Sequence, residues 1–367
     1  MPKLLFLGQF VPVFCGADCV NFISQPDVFK KKCYDSLLDK PNTLEEIFYY
    51  KTYHREIFKV LIELQKTLDF NFFSTSDIAH FMQYHDDYDL VWSVYNRIPN
   101  KSSEVAFCGS EVFIQSLCAY YDIMYIGATP IIRATVEDKR MAKTLAREIG
   151  LKTADYVVAS KENPLQKQAP FPPQYFVKPR FGSASIGIDE TCFCETWENV
   201  IAKSEEYFSS NTEVIVEKFI DGVYYGVPIM NTKSGIPIIG VPHYQTSNKK
   251  GHVITYKQKR FTEEGMHRYI DEKCFVHNII DYAKEYFKAL QPCDYARIDF
   301  IIESKTGIAY FLEANILMNL GNKSGFVQSF LQKPINDIPH SDIQSFDSYN
   351  KIIQHIVELG MNKLPKN

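Results

Sequence analysis

Two β-rich runs, Ala296-Arg297-Ile298-Asp299-Phe300-Ile301-Ile302 and Ile308-Ala309-Tyr310-Phe311-Leu312-Glu313-Ala314-Asn315, flank the turn Glu303-Ser304-Lys305-Thr306-Gly307. Strand formers on both sides of a Gly-closed turn predict an antiparallel hairpin. With the turn centred near Lys305-Thr306, Asp299 comes almost opposite Glu313, and Asn315, two residues on, shares that face. Facing residues on paired strands sit roughly 4.5–5.5 Å apart, where like charges destabilise the pair. Two such acids in otherwise apolar strands call for a cation. Asp299, Glu313 and Asn315 offer three oxygen ligands, with no Cys or His beside them, which suits a hard ion. Mg²⁺ held against substrate phosphates is the usual case, with Mn²⁺ as the alternative. Two solvent-facing acids on a half-exposed hairpin are the plainer explanation for either acid alone.

The rest of the chain must house that hairpin. Its 367 residues suggest two or three domains. Hydrophobic residues at 46% and charged residues at 23% argue against disorder. A balance of 40 basic against 44 acidic residues gives no global reason to expect nucleic-acid or anionic-membrane binding. The nine cysteines, at 15, 19, 33, 108, 118, 192, 194, 274 and 293, lack paired CxxC clusters and predict reduced thiols in a cytoplasmic setting. No run approaches the ~18 apolar residues of a membrane span. The apolar start, interrupted by Gln9 and Pro12, reads as a buried strand ending at Gly8 rather than as a signal peptide.

Up to about Thr129 the pattern is α/β. It has strands at Lys3–Gly8, Asp89–Asn96 and Ile123–Ile126, and helices from Thr43 to about Leu68 and from Ser110 to Tyr121. Thr43 with Glu46 makes a capping box. A helix predicted from Thr135, with a box-like Asp138 three residues on, stops at Gly150. A polar loop from Lys161 to Pro173 leads to a strand at Tyr175–Lys178, and Glu213–Phe219, Gly226–Met230 and Ile236–Val241 are strand-like. A helix at Asp271–Leu290 precedes the hairpin, and another from Ser345 to about Leu359 closes the sequence.

The loop Lys178-Pro179-Arg180-Phe181-Gly182-Ser183-Ala184-Ser185-Ile186-Gly187 is the second informative stretch. Dense Gly and Ser let backbone N–H groups turn toward an anion, with Ser183 and Ser185 hydroxyls as added donors and Lys178 as a point charge. It has neither Walker nor GxGxxG spacing, and a flexible hairpin turn would explain it equally well. Lys139 falls in the first turn of its helix, where a cation is disfavoured unless an anion joins it. Arg297 shares the strand face of Asp299. It reads either as a structural salt bridge to Glu313 or as a guanidinium aimed at a developing oxyanion.

In this order these motifs resemble the ATP-grasp superfamily, most closely its D-alanine–D-alanine ligase branch, from about Tyr125 to Phe326. Asp138-Lys139 is similar to the family's first nucleotide lysine, Val177-Lys178-Pro179 to its second, and Gly182–Gly187 to the loop closing over the phosphates. Glu213–Ile220 resembles the hinge that grips adenine, with Glu217, Lys218 and Ile220 at the contact positions. Arg297-Ile298-Asp299 and Glu313-Ala314-Asn315 match the arginine and metal-ligand motifs. Asn319–Ser324 stands where the family has Pro-Gly-x-x-x-x-Ser, which places Ser324 at the second substrate's carboxylate. Tyr256-Lys257-Gln258-Lys259 resembles the omega-loop Tyr-x-x-Lys, which adds Lys259 to Arg297 and Ser324 as catalytic.

The resemblance implies an α/β ATP-grasp fold of three domains. These are an N-terminal unit over 1–128, a central lid over 129–216 and a C-terminal metal-bearing unit over 217–367, with ATP between the last two. It implies an ADP-forming ligase that joins a carboxylate to an amine through an acylphosphate, taking amino acids or carboxylic acids as substrates and admitting a homodimer. Three departures alter the substrate end. Tyr224 replaces the ribose-binding Glu, for which Asp221 is the substitute; Gly8-Gln9-Phe10-Val11-Pro12 replaces Gly-x-Ser-x-Glu; and Asn319-Leu320 replaces Pro-Gly. An ATP-binding regulator without turnover and a kinase on the same scaffold are the competing readings.

Overall fold

The computed structural model describes residues 2–7, 54, 56–75, 78–94, 112–182, 185, 187–245, 268–269, 276–333 and 343–365. The Thr43 box, the Gly8–Pro12 segment, Ser183 and the Tyr256–Lys259 stretch lie outside them.

The first sheet is parallel, in the order β2-β1-β3-β4, from β1 (Lys3–Leu7), β2 (Asn71–Thr75), β3 (Leu90–Ser93) and β4 (Met124–Ile126). Parallel strands covered on both sides read as unbroken apolar runs, and Leu4–Leu7 and Leu90–Trp92 are such runs, fully buried. Helices α1 (Ile78–Gln83) and α2 (Phe113–Tyr120) close one face, where Phe81, Ile114 and Cys118 meet Leu5, Leu7 and Val91. The other face is closed by a helical run over 56–64 and by the end of the chain.

Two helices follow β4: α3 (Pro130–Glu137) and α4 (Lys139–Glu148). The single helix expected from Thr135 is therefore two, broken at Asp138. Asp138 has extended φ −86°, ψ 104° and caps α4 by accepting from the Arg140 N–H at 2.9 Å. The break has a tertiary cause: Asp138 bridges to Phe181 in antiparallel fashion, and the Lys139 N–H donates to the Arg180 carbonyl at 3.1 Å.

The second sheet is antiparallel, order β5-β8-β6-β7, from β5 (Tyr156–Ala159), β6 (Tyr175–Pro179), β7 (Phe193–Cys194) and β8 (Val214–Lys218). One face packs Tyr175, Val177, Val214 and Val216 against Val200, Tyr207 and Phe208 of α5 (Trp197–Ser209). Neither β5 nor α5 was expected. For α5 the signal was present, since Thr196 caps it by accepting from Asn199 N–H at 3.3 Å.

The third sheet runs β12-β11-β9-β13-β14, with β10 (Ile238–Ile239) alongside β9 (Gly222–Met230). Its other members are β11 (His243–Gln245), β12 (Arg268–Tyr269), β13 (Tyr295–Glu303) and β14 (Ala309–Asn315). Ile279, Ile280, Tyr286 and Phe287 of α6 (Val276–Ala289) fill its core with Val227, Ile229, Ile298 and Phe300. Ala142 and Ala146 of α4 join that core, and the Tyr286 hydroxyl donates to the Ala142 carbonyl at 3.0 Å. Helix α4 is thus held against the carboxylate hairpin.

Helices α7 (Gly325–Leu331) and α8 (Tyr349–Met361) end the fold, α8 starting four residues later than the expected Ser345. Ile352, Ile353, Ile356 and Val357 of α8 return to Leu4, Phe6 and Trp92 of the first sheet. The approach is close enough that a Cβ on Gly360 would lie 2.4 Å from Ile126 Cγ1, so only glycine fits there. Cys118, Cys192, Cys194 and Cys293 are buried free thiols. Among the described residues no helix is long and apolar enough to cross a membrane.

Candidate active site

The β13–β14 hairpin forms in the expected register, with Asp299 opposite Glu313 and Arg297 opposite Asn315, and the register shifts after Asp299. Asp299 is fully buried. Arg297, two residues away on the same face, donates from Nε to Oδ1 and from Nη2 to Oδ2, both at 2.7 Å. Arg297 therefore hydrogen-bonds Asp299, and from Nη2 the Tyr224 hydroxyl at 3.3 Å, while Glu313 adds its charge, because i and i+2 on one strand leave the guanidinium fork beside the aspartate. Asn315 Nδ2 donates to Asp299 Oδ2 at 2.8 Å and reaches Glu313 Oε1 at 3.4 Å. The Tyr224 hydroxyl of β9 also donates to Asp299 Oδ2. Burial pushes the Asp299 carboxyl upward against the opposing charge of Arg297.

The donor set fits a hard divalent cation by type: two carboxylates in register and an amide, with Asn315 already turned toward both acids. Its amide would present oxygen to a metal after a half-turn that exchanges O and N. Among the described residues no group of three or more His, Cys, Asp or Glu forms a metal cage, so Asn315 must complete any such set.

A second cluster lies beside α4. Lys139 is the first residue of the helix, almost buried, and its ammonium donates to the Gly182 carbonyl at 2.5 Å. Burial pulls Lys139 down to about 8, the charge of Glu313 opposing it, so the hairpin and this cluster sense each other. Lys178 at the end of β6 pairs with Glu217 Oε1 of β8 at 2.8 Å, and both are buried. The same oxygen lies 3.3 Å from Nζ of Lys143, which is fully buried one turn after Lys139. Burial pushes Glu217 upward, but Lys143 and Lys178 outweigh it and the net shift is down.

The Gly/Ser loop leaves β6 here with positive φ at Gly182 (90°), Ser185 (57°) and Gly187 (76°). Both ends are anchored. Arg180 donates to both oxygens of Asp138 at 3.0 and 2.6 Å and to Glu213 at 2.7 Å. At the far end, the Tyr207 hydroxyl donates to the Gly187 carbonyl.

The other expected residues gather less tightly. Lys218 and Ile220 line an open hinge cleft of about 290 Å³ with Arg147, Thr153 and Tyr310. Asp221 is exposed, its carbonyl accepting from Ser304 N–H at 2.9 Å. Ser324 caps α7, its hydroxyl accepting from Val327 N–H at 3.3 Å. Ser183 and Lys259 fall outside the described residues.

Sequence reasoning missed Lys143 and Arg180 as members of the site. The i, i+4 spacing of Lys139 and Lys143 put both on one helix face and was the available signal for the first. Nothing local marked Arg180, whose partners are 42 and 33 residues away. Tyr224 was noticed only for what it replaces, and its engagement with Asp299 is a tertiary fact.

Residues 145–336 match the family model for the D-ala D-ala ligase C-terminus. A D-alanine–D-alanine ligase A of Bacillus cereus is 25% identical over 258 residues, covering 69% of this chain and 77% of that protein. A D-alanine–D-alanine ligase of Citrifermentans bemidjiense is 27% identical over 237 residues, covering 62% and 73%. The crystal structure of the Bacillus anthracis D-alanine–D-alanine ligase complexed with ATP superposes with a TM-score of 0.61 at 17% identity, over 98% of this chain and 97% of that one. The VanG D-Ala:D-Ser ligase of Enterococcus faecalis gives 0.55 at 20% identity, over 74% and 73%. The fold is ATP-grasp, and the chain belongs to the D-alanine–D-alanine ligase family.

Proposed function

We propose that this protein is an ATP-dependent, ADP-forming carboxylate–amine ligase whose substrates are amino acids or closely related acids. The observation that carries the reading is the placement of Lys139. Its buried ammonium holds the Gly182 carbonyl of the phosphate loop and lies within the field of Glu313 on the hairpin. A triphosphate bound between the loop and the hairpin would meet cations on one side and a metal-binding edge on the other.

Lys139 and Lys178 hold the phosphate tail, and the Gly/Ser loop wraps it with backbone N–H groups. Ser185 adds a hydroxyl, with Ser183 assigned the same part by resemblance. Glu217, Lys218 and Ile220 hold the base, and Asp221 reaches the ribose. Mg²⁺, or Mn²⁺ in its place, would be held by Asp299, Glu313 and Asn315 and would draw charge from the β- and γ-phosphates. One substrate carboxylate takes the γ-phosphoryl group, and the amine of the second attacks the resulting acylphosphate, releasing phosphate. Arg297, kept rigid by its two bonds to Asp299, faces the tetrahedral oxyanion of that attack. Lys259 and Ser324 complete the second substrate's surroundings, and closure of the loop excludes the water that would hydrolyse the acylphosphate. The relatives named above act on D-alanine or on D-alanine and D-serine. The altered Gly8–Pro12 and Asn319-Leu320 segments favour a different pair of acids here.

The test is incubation with ATP, Mg²⁺ and pools of amino and hydroxy acids, following ADP, phosphate and new amides. ADP released only when an acid and an amine are both present supports the ligase. Nucleotide binding without release supports a regulator, and a lasting phosphorylated product supports a kinase.

A further inference from the structure

Lys143 has no place in the scheme above, yet it is a fully buried cation on the helix that carries Lys139. Burying an ammonium is costly, and a well-packed apolar residue in place of a buried ion pair is often as stable. A purely structural role therefore explains the charge poorly. Lys143 has no exposed surface, and no direct nucleotide contact is assigned to it. Among the described residues its ion-pair partner is Glu217, and it shares Oε1 of that carboxylate with Lys178. Lys178 is the nearer at 2.8 Å, while Lys143 stands at 3.3 Å, longer than the usual charge-assisted bond of about 2.7–2.9 Å. Both ion pairs make their closest approach at Oε1.

These contacts place Lys143 as the reserve partner of Glu217. When Lys178 is drawn to a phosphate, Glu217 would remain buried with its nearer cation gone. Lys143 is 0.5 Å further from the same oxygen, the difference of the two distances, and can close onto it. Building on the ligase reading, we infer that Lys143 is a positioning residue of the nucleotide site. It keeps Glu217 ionised and fixed while Lys178 serves the phosphates, so that the Glu217 carboxylate accepts from the 6-amino group of an adenine nucleotide. A guanine presents a carbonyl at that position, acceptor against acceptor, and is disfavoured.

The experiment measures ATP and GTP binding to the full chain by calorimetry, for the wild type, Lys143→Met, Lys143→Arg, Glu217→Gln and the double variant Lys143→Met/Glu217→Gln. Lys143→Met is expected to weaken ATP binding by about 30-fold, the scale for leaving one member of a buried charged contact uncompensated, and GTP binding far less. Lys143→Arg is expected to restore most of the ATP preference. Glu217→Gln should lose the same preference, and adding Lys143→Met to it should change little, because the two residues act as one unit. Equal losses for ATP and GTP, or full additivity in the double variant, overturn the inference and leave Lys143 as packing. A wild-type chain that binds ATP normally while Lys143→Met also does so sinks this inference alone. A wild-type chain that binds no nucleotide sinks the ligase reading itself.

Discussion

The two halves of the site are built in opposite ways. Beside α4, Lys143 and Lys178 crowd one oxygen of Glu217, and Lys139 lies alongside them in the fields of Glu313 and Glu217. On the hairpin, Asp299 is saturated, with Arg297 on both oxygens and Asn315 and Tyr224 on Oδ2. The first cluster has surplus positive charge in a dry place and gains most from an arriving polyanion. The second is pre-tied, with a rigid arginine and a carboxylate whose charge is already balanced. Affinity for the nucleotide should therefore reside beside α4, and turnover on the hairpin.

The largest expected effect tests the hairpin. Glu313→Gln keeps shape and removes one negative charge from the metal-binding edge, and turnover should fall by at least about 10²-fold. ATP affinity measured without metal should change little, and normal turnover in a folded variant would break the contrast. Lys178→Ala comes next. It removes a charge-assisted phosphate contact and should weaken ATP binding by about 10- to 100-fold, with a smaller loss of turnover at saturation. The reverse pattern would move Lys178 to the catalytic half.

A pH series sharpens the same comparison. Burial pulls Lys139 and Lys143 down to about 8 from 10.5. Between those values the unfolded chain holds more protons than the unliganded fold, so the stability of the unliganded protein should rise with pH across that window. Nucleotide binding needs the ammonium forms, so ATP affinity should fall above about pH 8, with proton uptake on binding visible by calorimetry in two buffers. A flat affinity from pH 7 to 10 would refute the surplus-cation picture. The smallest effect is expected for Tyr224→Phe, which removes one of four donors to Asp299. About 1 kcal/mol of stability should be lost in denaturant titrations, with turnover reduced less than tenfold.

The hairpin was legible in advance because strand register is local arithmetic. A turn at Lys305-Thr306 and a period of two bring Asp299, Glu313 and Asn315 onto one face without knowledge of the rest of the chain. The α4 cluster was half legible. Lys139 and Lys178 stood out by position, but the helix boundary at Asp138 did not, because Asp138 is drawn into extended geometry by Phe181 and Arg180 from the loop beyond β6.

Sequence alone determined the α/β character, the hairpin and its acid pair, and the kinship that orders the motifs. Tertiary structure decided which charge meets which. It gave Arg297 to Asp299, turned Tyr224 onto the same carboxylate, and brought Lys143 and Lys178 from separate elements to one oxygen of Glu217. The physical reason is range. Backbone periodicity acts over a few residues, whereas buried charges choose partners by proximity after the sheets and helices have packed, across 74 residues for Lys143 and Glu217.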